Sequence, residues 1–198
     1  KAVSNATAIG SISSLGSMTF IKKLTASSSA TLSFVDGTDG VVLDDTYKEY
    51  YFTFNNIHAA TDDVNFTFNM SIDGGSNYNV TKTTTLFYST HLENDAGLEL
   101  SYLTGLDLAQ STAFQVLSSE LGNVSDECTS GYLQLFNPSS TTFVKNFISS
   151  FNDNTKIDRC SRWDSAGYGN TTSAVDAIRF QMTSGNIDAG DICLYGIA

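Results

Sequence analysis

The stretch Val64-Asn-Phe-Thr-Phe-Asn-Met-Ser-Ile72 indicates which secondary structure this chain is built from. Apolar and polar side chains alternate through it without interruption. Because successive side chains of a β-strand point to opposite faces, this period of two predicts a strand with one face in the core and one in water. Strands of this kind are typical of antiparallel sandwiches. The side chains expected in the core are those of Val64, Phe66, Phe68, Met70 and Ile72.

The same period recurs along the chain, at residues 32–34, 50–54 and 178–182. We expect 50–54 and 64–72 to be neighbouring or near-neighbouring strands. Residues 184–190 are rich in turn formers and predict a hairpin that leads into a closing strand at 191–197. Further strand candidates are residues 18–24, 78–88, 98–104, 130–136 and 142–149. The pattern predicts an all-β protein, an antiparallel β-sandwich.

Composition supports this prediction. The chain holds 26 Ser, 23 Thr, 13 Phe and 9 Tyr, whereas charged residues make up only 16%. Ser, Thr and aromatic residues suit strands and turns, and a helical protein would place Glu, Lys and Arg on its wet faces. One segment, 106–121, has apolar residues near helical spacing and is a helix candidate, with a strand as the alternative because Thr112 and Phe114 favour one.

The chain divides into an arm, residues 1–17, and a single sandwich domain, residues 18–198. The first segment is small and polar, with isolated Ile9, Ile12 and Leu15. It has too few apolar groups to offset its own ordering entropy. We interpret it either as a frayed terminus or as an arm that orders against a neighbouring subunit.

The charge balance argues against two classes of partner. The formal net charge is −11, and phosphate backbones and anionic lipids both repel so negative a chain. We expect neither nucleic acid nor membrane as a partner. In agreement, the sequence holds no apolar run of the ~20 residues that span a membrane.

The residues that could carry chemistry form no recognisable catalytic or metal-binding motif. The two histidines, His58 and His91, each lie beside a turn, and no nucleophile motif accompanies them. Cys128, Cys160 and Cys193 are far apart and include no C-x-x-C pair, so they predict no zinc site. We interpret them as three buried thiols, or as one disulfide and one free thiol. The sequence therefore predicts a non-enzymatic protein without catalytic residues or a cofactor.

Aspartates cluster in a turn-rich segment, where two interpretations are open. Asp36, Asp39, Asp44 and Asp45 could supply oxygen ligands to calcium, but they lack the spacing of an EF-hand loop. Asp beside Gly is also the ordinary composition of a tight turn. We favour turn chemistry and assign no metal ligand.

Segment 152–171 concentrates the single Trp, an aromatic neighbour, two arginines and several amides. Loop aromatics beside amides can stack on sugar rings or anchor a protein interface. The candidate surface contacts, to a glycan or a partner protein, are Trp163, Tyr168 and Arg162. Alternatively, Trp163 caps the open end of the sandwich.

Several motifs resemble a largely uncharacterised family of virion-associated structural proteins from marine bacteriophages. They are YKEYYFTFNNIH at 47–58, DGGSNY at 73–78, YLQLFNPSSTTF at 132–143, NTTS at 170–173 and the ending from TSGNI at 183–187 to LYGI at 194–197. The likeness covers nearly the whole chain from about residue 10.

The resemblance implies a jelly-roll-like sandwich on the exterior of a phage particle, as a capsid-decoration, fibre or knob subunit. Such a subunit acts through contacts with other virion proteins and with copies of itself. We expect a homo-oligomer, a trimer by analogy with phage appendages, with residues 1–17 contacting another subunit or the particle. The alternative function is a glycan-binding module that reads a host-surface polysaccharide at the end of a tail fibre.

Overall fold

The computed structural model describes residues 18–198, and within this range every regular element is a β-strand. The strands are β1 (Met18–Thr25), β2 (Leu32–Val35), β3 (Glu49–Ala59), β4 (Val64–Ser71), β5 (Lys82–Leu92), β6 (Leu98–Tyr102), β7 (Gln115–Leu121), β8 (Cys128–Phe136), β9 (Lys145–Thr155), β10 (Arg159–Gly169), β11 (Ala177–Met182) and β12 (Ile187–Ile197).

The strands form two sheets. The large sheet has eight strands in the order β1-β12-β3-β8-β9-β10-β5-β6, and the small sheet has four in the order β2-β11-β4-β7. All pairings within the described range are antiparallel. The predicted all-β antiparallel sandwich is confirmed. A division into eight and four strands is compatible with the jelly-roll-like arrangement.

Phenylalanine rings fill the space between the sheets, and Phe180 lies at their centre. Its ring centroid is 5.0 Å from that of Phe54 in the large sheet and 6.0 Å from that of Phe66 in the small sheet. It also contacts Phe34, Phe52 and Phe68. Because edge-to-face and offset contacts of this kind favour defined ring orientations, the cluster fixes how the two sheets sit on each other.

Strands β3 and β4, expected to be neighbouring or near-neighbouring, lie in different sheets. A turn at 60–63, with Asp63 at φ 59°, takes the chain from the large sheet into the small one. The two strands therefore face each other across the core, where the rings of Phe54 and Phe66 lie 5.7 Å apart. The predicted burial of the Phe side chains of both strands is confirmed, whereas Ile72, which follows the end of β4, is 43% exposed and not in the core as expected.

The polar face of β4 was expected in water, and this expectation is wrong. Thr67, Asn69 and Ser71 are buried because neighbouring connections cover that face. The side-chain amide of Asn69 donates hydrogen bonds to the main-chain carbonyls of Tyr78 and Thr112, at 2.8 and 2.9 Å. Asn69 is thus buried as the hydrogen-bond donor for two loop carbonyls that would otherwise have no donor.

Two further predictions are corrected. The connection 184–190 does not form a hairpin, because β11 belongs to the small sheet and β12 to the large one. Segment 106–121 forms no helix: it is irregular up to its last residues, which form β7 at the edge of the small sheet. Pairing of β7 with β4 outweighs the helical spacing of its apolar residues. The predicted arm, residues 1–17, lies outside the described residues.

Replacing Phe180 with Ala should destabilise the protein by about 3–5 kcal/mol, because it removes a buried aromatic side chain that contacts five others. Urea denaturation followed by fluorescence measures this. Phe143→Ala is the matched control, since Phe143 is 68% exposed, and it should change stability by less than ~0.5 kcal/mol. Equal effects of the two substitutions would contradict the central role of Phe180.

Candidate functional site

Strand β10 carries all three side chains that the sequence indicated as surface contacts, and it divides them between two faces. Arg162 and Tyr168 have even numbers and point to the outer face of the large sheet, whereas Trp163 points into the core. Residues 159–169 of the segment 152–171 are therefore not a loop but an eleven-residue strand that pairs along its length with β9 and β5. Since strand side chains alternate, the three cannot form one surface.

Trp163 is buried, and its expected role as a surface contact is wrong. Its ring stacks on Tyr88 with centroids 5.0 Å apart, and its indole N–H donates to Asp153 Oδ2 at 2.6 Å. The sequence holds a signal for this placement. Arg162 and Asp164 flank the tryptophan, and because charged residues on a strand mostly face water, this spacing favours an inward direction for the residue between them.

Arg162 and Tyr168 border a shallow groove on the outer face of the large sheet. It consists of two adjoining cavities of about 490 and 420 Å³ that share Thr85, Ile148 and Ala166. The strands β8, β9, β10 and β5 form its floor. Its other outward-facing side chains are Thr83, Phe87, Phe136, Asn146 and Asp164.

The groove combines apolar surface with uncharged hydrogen-bonding groups. Phe87 and Ile148 are 44% and 47% exposed. Thr83, Tyr168 and the amide of Asn146 line one end. At the other end Arg162 forms an ion pair with Asp164 at 3.1 Å, so the two charges largely neutralise each other. Such a surface suits an apolar protein patch or a neutral sugar better than a charged ligand.

Apolar exposure continues from the groove to the edge of the sheet. Strand β6 pairs with β5 so that Tyr102 lies opposite Phe87. Leu98 and Leu100 follow on the same face and are 82% and 75% exposed. Single exposed apolar residues are common on protein surfaces, but a contiguous apolar strip at the edge of a sheet is typical of an interaction site. Sequence reasoning missed this strip because 98–104 was identified only as a strand, without its place at an edge.

The other half of the outer face carries aromatic pairs. Tyr51 and Tyr132 stack with centroids 5.3 Å apart and an angle of 16° between their planes. Phe20 and Tyr195 make an edge-to-face contact at 5.7 Å, and Phe20 is 57% exposed. The large sheet thus presents aromatic and aliphatic side chains to solvent on both sides of the groove.

The most strongly perturbed carboxyl group is buried beneath this face. Asp153 is 2% exposed, and burial raises its pKa to about 7 despite hydrogen bonds from Ser118 and Trp163. Its other oxygen, Oδ1, accepts no hydrogen bond from any residue of the range 18–198. An ionised carboxylate is costly in such a position, so the group is held largely as the neutral acid below neutral pH.

Two lysines are also fully buried. Lys82 Nζ donates to Asn69 Oδ1 at 2.5 Å and to the carbonyl of Val80 at 2.8 Å, and burial lowers its pKa to about 7. Lys145 Nζ donates to the carbonyls of Ser140, Phe143 and Thr171, and burial lowers its pKa as well. Both amino groups serve as hydrogen-bond donors to the interior and lie out of reach of a substrate.

The remaining candidate ligands are dispersed. The three cysteines are free thiols, with Cys160 exposed and the other two partly buried, so neither the buried-thiol nor the disulfide interpretation is correct. Within residues 18–198 no group of three or more His, Cys, Asp or Glu side chains could hold a metal ion. Among the clustered aspartates, Asp36 and Asp44 accept hydrogen bonds from the main-chain N–H groups of Leu43 and Thr46. These contacts are turn chemistry.

Comparison with models of known protein families, with curated proteins and with solved structures gave no match. In the part of the chain that the structure describes, no helix is long and apolar enough to cross a membrane.

The free energy of unfolding should pass through a minimum near pH 7. Asp153 has an unfolded pKa of ~3.9, so between pH ~4 and ~7 the unfolded chain has lost a proton that the folded chain keeps, and stability falls as pH rises. Lys82 has an unfolded pKa of ~10.4, so between pH ~7 and ~10 the unfolded chain keeps a proton that the folded chain has lost, and stability rises with pH. A shift of about three pKa units corresponds to ~4 kcal/mol for each group.

Urea denaturation across this pH range measures both limbs of the curve. Asp153→Asn should flatten the acid limb and leave the alkaline limb. Lys82→Met should leave the acid limb and reduce the alkaline limb to the part that Lys145 contributes. An Asp153→Asn protein with an acid limb as steep as that of the wild type would show that another group titrates.

Proposed function

We propose that this chain is a structural subunit on the exterior of a bacteriophage particle, a capsid-decoration or tail-appendage protein that acts through protein–protein contacts. The observation that carries the proposal is the apolar outer face of the large sheet, from the groove to β6. The sequence motifs at 47–58, 73–78 and 132–143 support the particle context by their resemblance to virion-associated proteins.

A contact role suits the chemistry of this face. Protein interfaces combine exposed apolar anchors with a rim of polar groups that form hydrogen bonds. Phe87, Ile148 and Leu100 supply the anchors, and Asn146 and Arg162 lie at the rim. The net charge of −11 keeps such a chain soluble at high copy number before it assembles.

The placement of the perturbed groups favours contacts over catalysis. A catalytic acid or base needs a shifted pKa at a position that substrate can reach. Asp153 and Lys82 have shifted pKa values, but both are buried and hydrogen-bonded in the interior. His91 is exposed, and its ring pairs with Asp95 at 3.0 Å beside a turn. We therefore propose that the protein performs no catalysis.

One observation favours a second function, glycan binding. Tyr168 lies half-buried along a groove whose other groups include hydroxyls, an amide and a neutralised ion pair. A sugar ring could stack on the tyrosine while its hydroxyls bond to these groups. This is the groove expected of a module that reads a neutral host polysaccharide.

Immunogold labelling and mass spectrometry of purified phage particles that encode this chain should detect it on their surface. The double variant Phe87→Asp/Ile148→Asp should be incorporated at least tenfold less than wild type, because carboxylates in the centre of an apolar contact are desolvated without a partner. Phe143→Asp, on an exposed phenylalanine outside the groove, is the control and should incorporate normally. Absence of the wild-type chain from particles would overturn the proposal.

The second function is tested with an array of bacterial polysaccharides. A structural subunit should bind none of them. If saturable binding occurs and Tyr168→Ala abolishes it without lowering stability, the glycan-binding function is correct instead. Trp163→Ala is unsuitable for this test because it removes a buried side chain. Cleavage of a polysaccharide would contradict both functions.

The expected trimer is tested by sedimentation of the full chain and of a chain that begins at Met18. We expect the full chain to form the larger assembly, because Ile9, Ile12 and Leu15 can fill shallow grooves on a neighbouring subunit. Identical molar masses for the two chains would show that residues 1–17 take no part in the assembly. An oligomer with a different number of subunits would contradict the trimer but not the proposed contact of the arm.

A further inference from the structure

Strand β6 presents unpaired main-chain groups at the edge of the large sheet. Its only partner in the described range is β5. Leu103 N donates to Leu86 O, and Leu92 N donates to Gly97 O, both at 3.0 Å. Because hydrogen-bonded and non-hydrogen-bonded pairs alternate in an antiparallel ladder, odd-numbered residues of β6 bond to β5. Leu98, Leu100 and Tyr102 therefore direct their N–H and C=O groups away from the sheet.

The other three edges of the sandwich carry features that discourage pairing. Strand β1 has a register shift between Phe20 and Lys22 and two consecutive lysines. Strand β2 has only four residues. Strand β7 pairs with β4 through two register shifts. Bulges, lysines and short length are the usual means by which proteins prevent edge-to-edge association. Strand β6 has a regular register with β5 and the most exposed aliphatic side chains in the described range.

The sequence of β6, Leu98-Glu-Leu-Ser-Tyr102, is complementary to itself in the antiparallel direction. When two copies pair about a two-fold axis at Leu100, Leu98 lies opposite Tyr102 on one face and Glu99 lies opposite Ser101 on the other. Each carboxylate then faces a hydroxyl donor rather than the carboxylate of the other copy. Glu99 is already held on that face, because its carboxylate accepts a hydrogen bond from Tyr88 Oη at 2.5 Å.

We propose that β6 pairs antiparallel with β6 of a second copy of this chain, with Leu100 on the two-fold axis, to join two large sheets into one. The Leu98, Leu100 and Tyr102 side chains of both copies form a continuous apolar row on the outer face. A symmetric contact of this kind closes on itself, so it forms pairs rather than fibres. If subunits also assemble through their arms, the pairing joins two such assemblies.

Charge predicts how the pairing responds to salt. Each copy carries a net charge of −11, so two copies repel each other at low ionic strength. Screening by salt reduces this repulsion, while the apolar row and the main-chain hydrogen bonds are unaffected by it. Association should therefore strengthen with NaCl concentration, the reverse of the behaviour of a contact made by ion pairs.

Sedimentation equilibrium of the full chain over a wide range of protein and NaCl concentration tests the proposal. Leu100→Lys should halve the molar mass of the wild-type species, because two ammonium groups face each other at the axis. Phe20→Lys, on an exposed apolar residue of the opposite edge strand, should leave the molar mass unchanged. Both substitutions lie on exposed side chains, and thermal unfolding checks that each variant is folded.

Disulfide trapping tests the register. In a chain whose three cysteines are replaced by serine, Leu100→Cys should form a dimer linked by a disulfide under mild oxidation, since hydrogen-bonded antiparallel pairs place Cα atoms ~5.5 Å apart. Ser101→Cys is opposite Glu99 in this register and should not form one. A wild-type molar mass equal to that of Leu100→Lys under all conditions would overturn the pairing, and halving by Phe20→Lys alone would assign the contact to β1. These outcomes concern the isolated chain and leave the particle experiment independent.

Discussion

The contact of Phe180 with five other phenylalanine rings is the interaction on which the rest of this structure depends. Phe180 lies in β11, and its neighbours come from both sheets, so the small sheet is placed on the large one by ring packing in the core. The small sheet then covers only part of the large one. It packs against the inner face of the large sheet, so the outer face, with the apolar strip of β6 at its edge, is left exposed.

Polar groups are buried where connections fold over the sheets, because the carbonyls of these connections need donors. Asn69 and the two buried lysines supply those donors. Asp153 performs the complementary task by accepting hydrogen bonds from Ser118 and the Trp163 indole. The two lysines and Asp153 are costly to bury in their charged forms, so the interior links stability to pH in a way that a purely apolar core would not.

Period-two alternation was sufficient to predict the sandwich and the buried face of β4, because side-chain direction in a strand is a local property. The assignment of strands to sheets was not predictable in this way. Alternation gives the face of a residue but not the partner of its strand, and therefore it did not predict that β3 and β4 lie in different sheets. Coverage by connections is equally non-local, so Thr67 and Asn69 were expected in water. The burial of Trp163, by contrast, was predictable from local sequence, because its charged neighbours Arg162 and Asp164 indicate an inward direction. The aromatic, arginine and amide residues concentrated in segment 152–171 favoured a surface role instead.

The candidate site depends on non-local information in the same way. Arg162 and Tyr168 were identifiable from residue type, but the groove that they border exists only because β8, β9, β10 and β5 lie next to one another in the large sheet. The apolar row of β6 reads in sequence as Leu98-Glu-Leu-Ser-Tyr102, an ordinary half-buried strand. In the interior of a sheet that pattern would be satisfied by neighbours on both sides. At an edge, the N–H and C=O groups of Leu98, Leu100 and Tyr102 and the apolar side chains of these residues have no partner strand. Pairing with β6 of a second copy, as proposed, supplies hydrogen bonds to the main-chain groups and apolar contacts to the side chains.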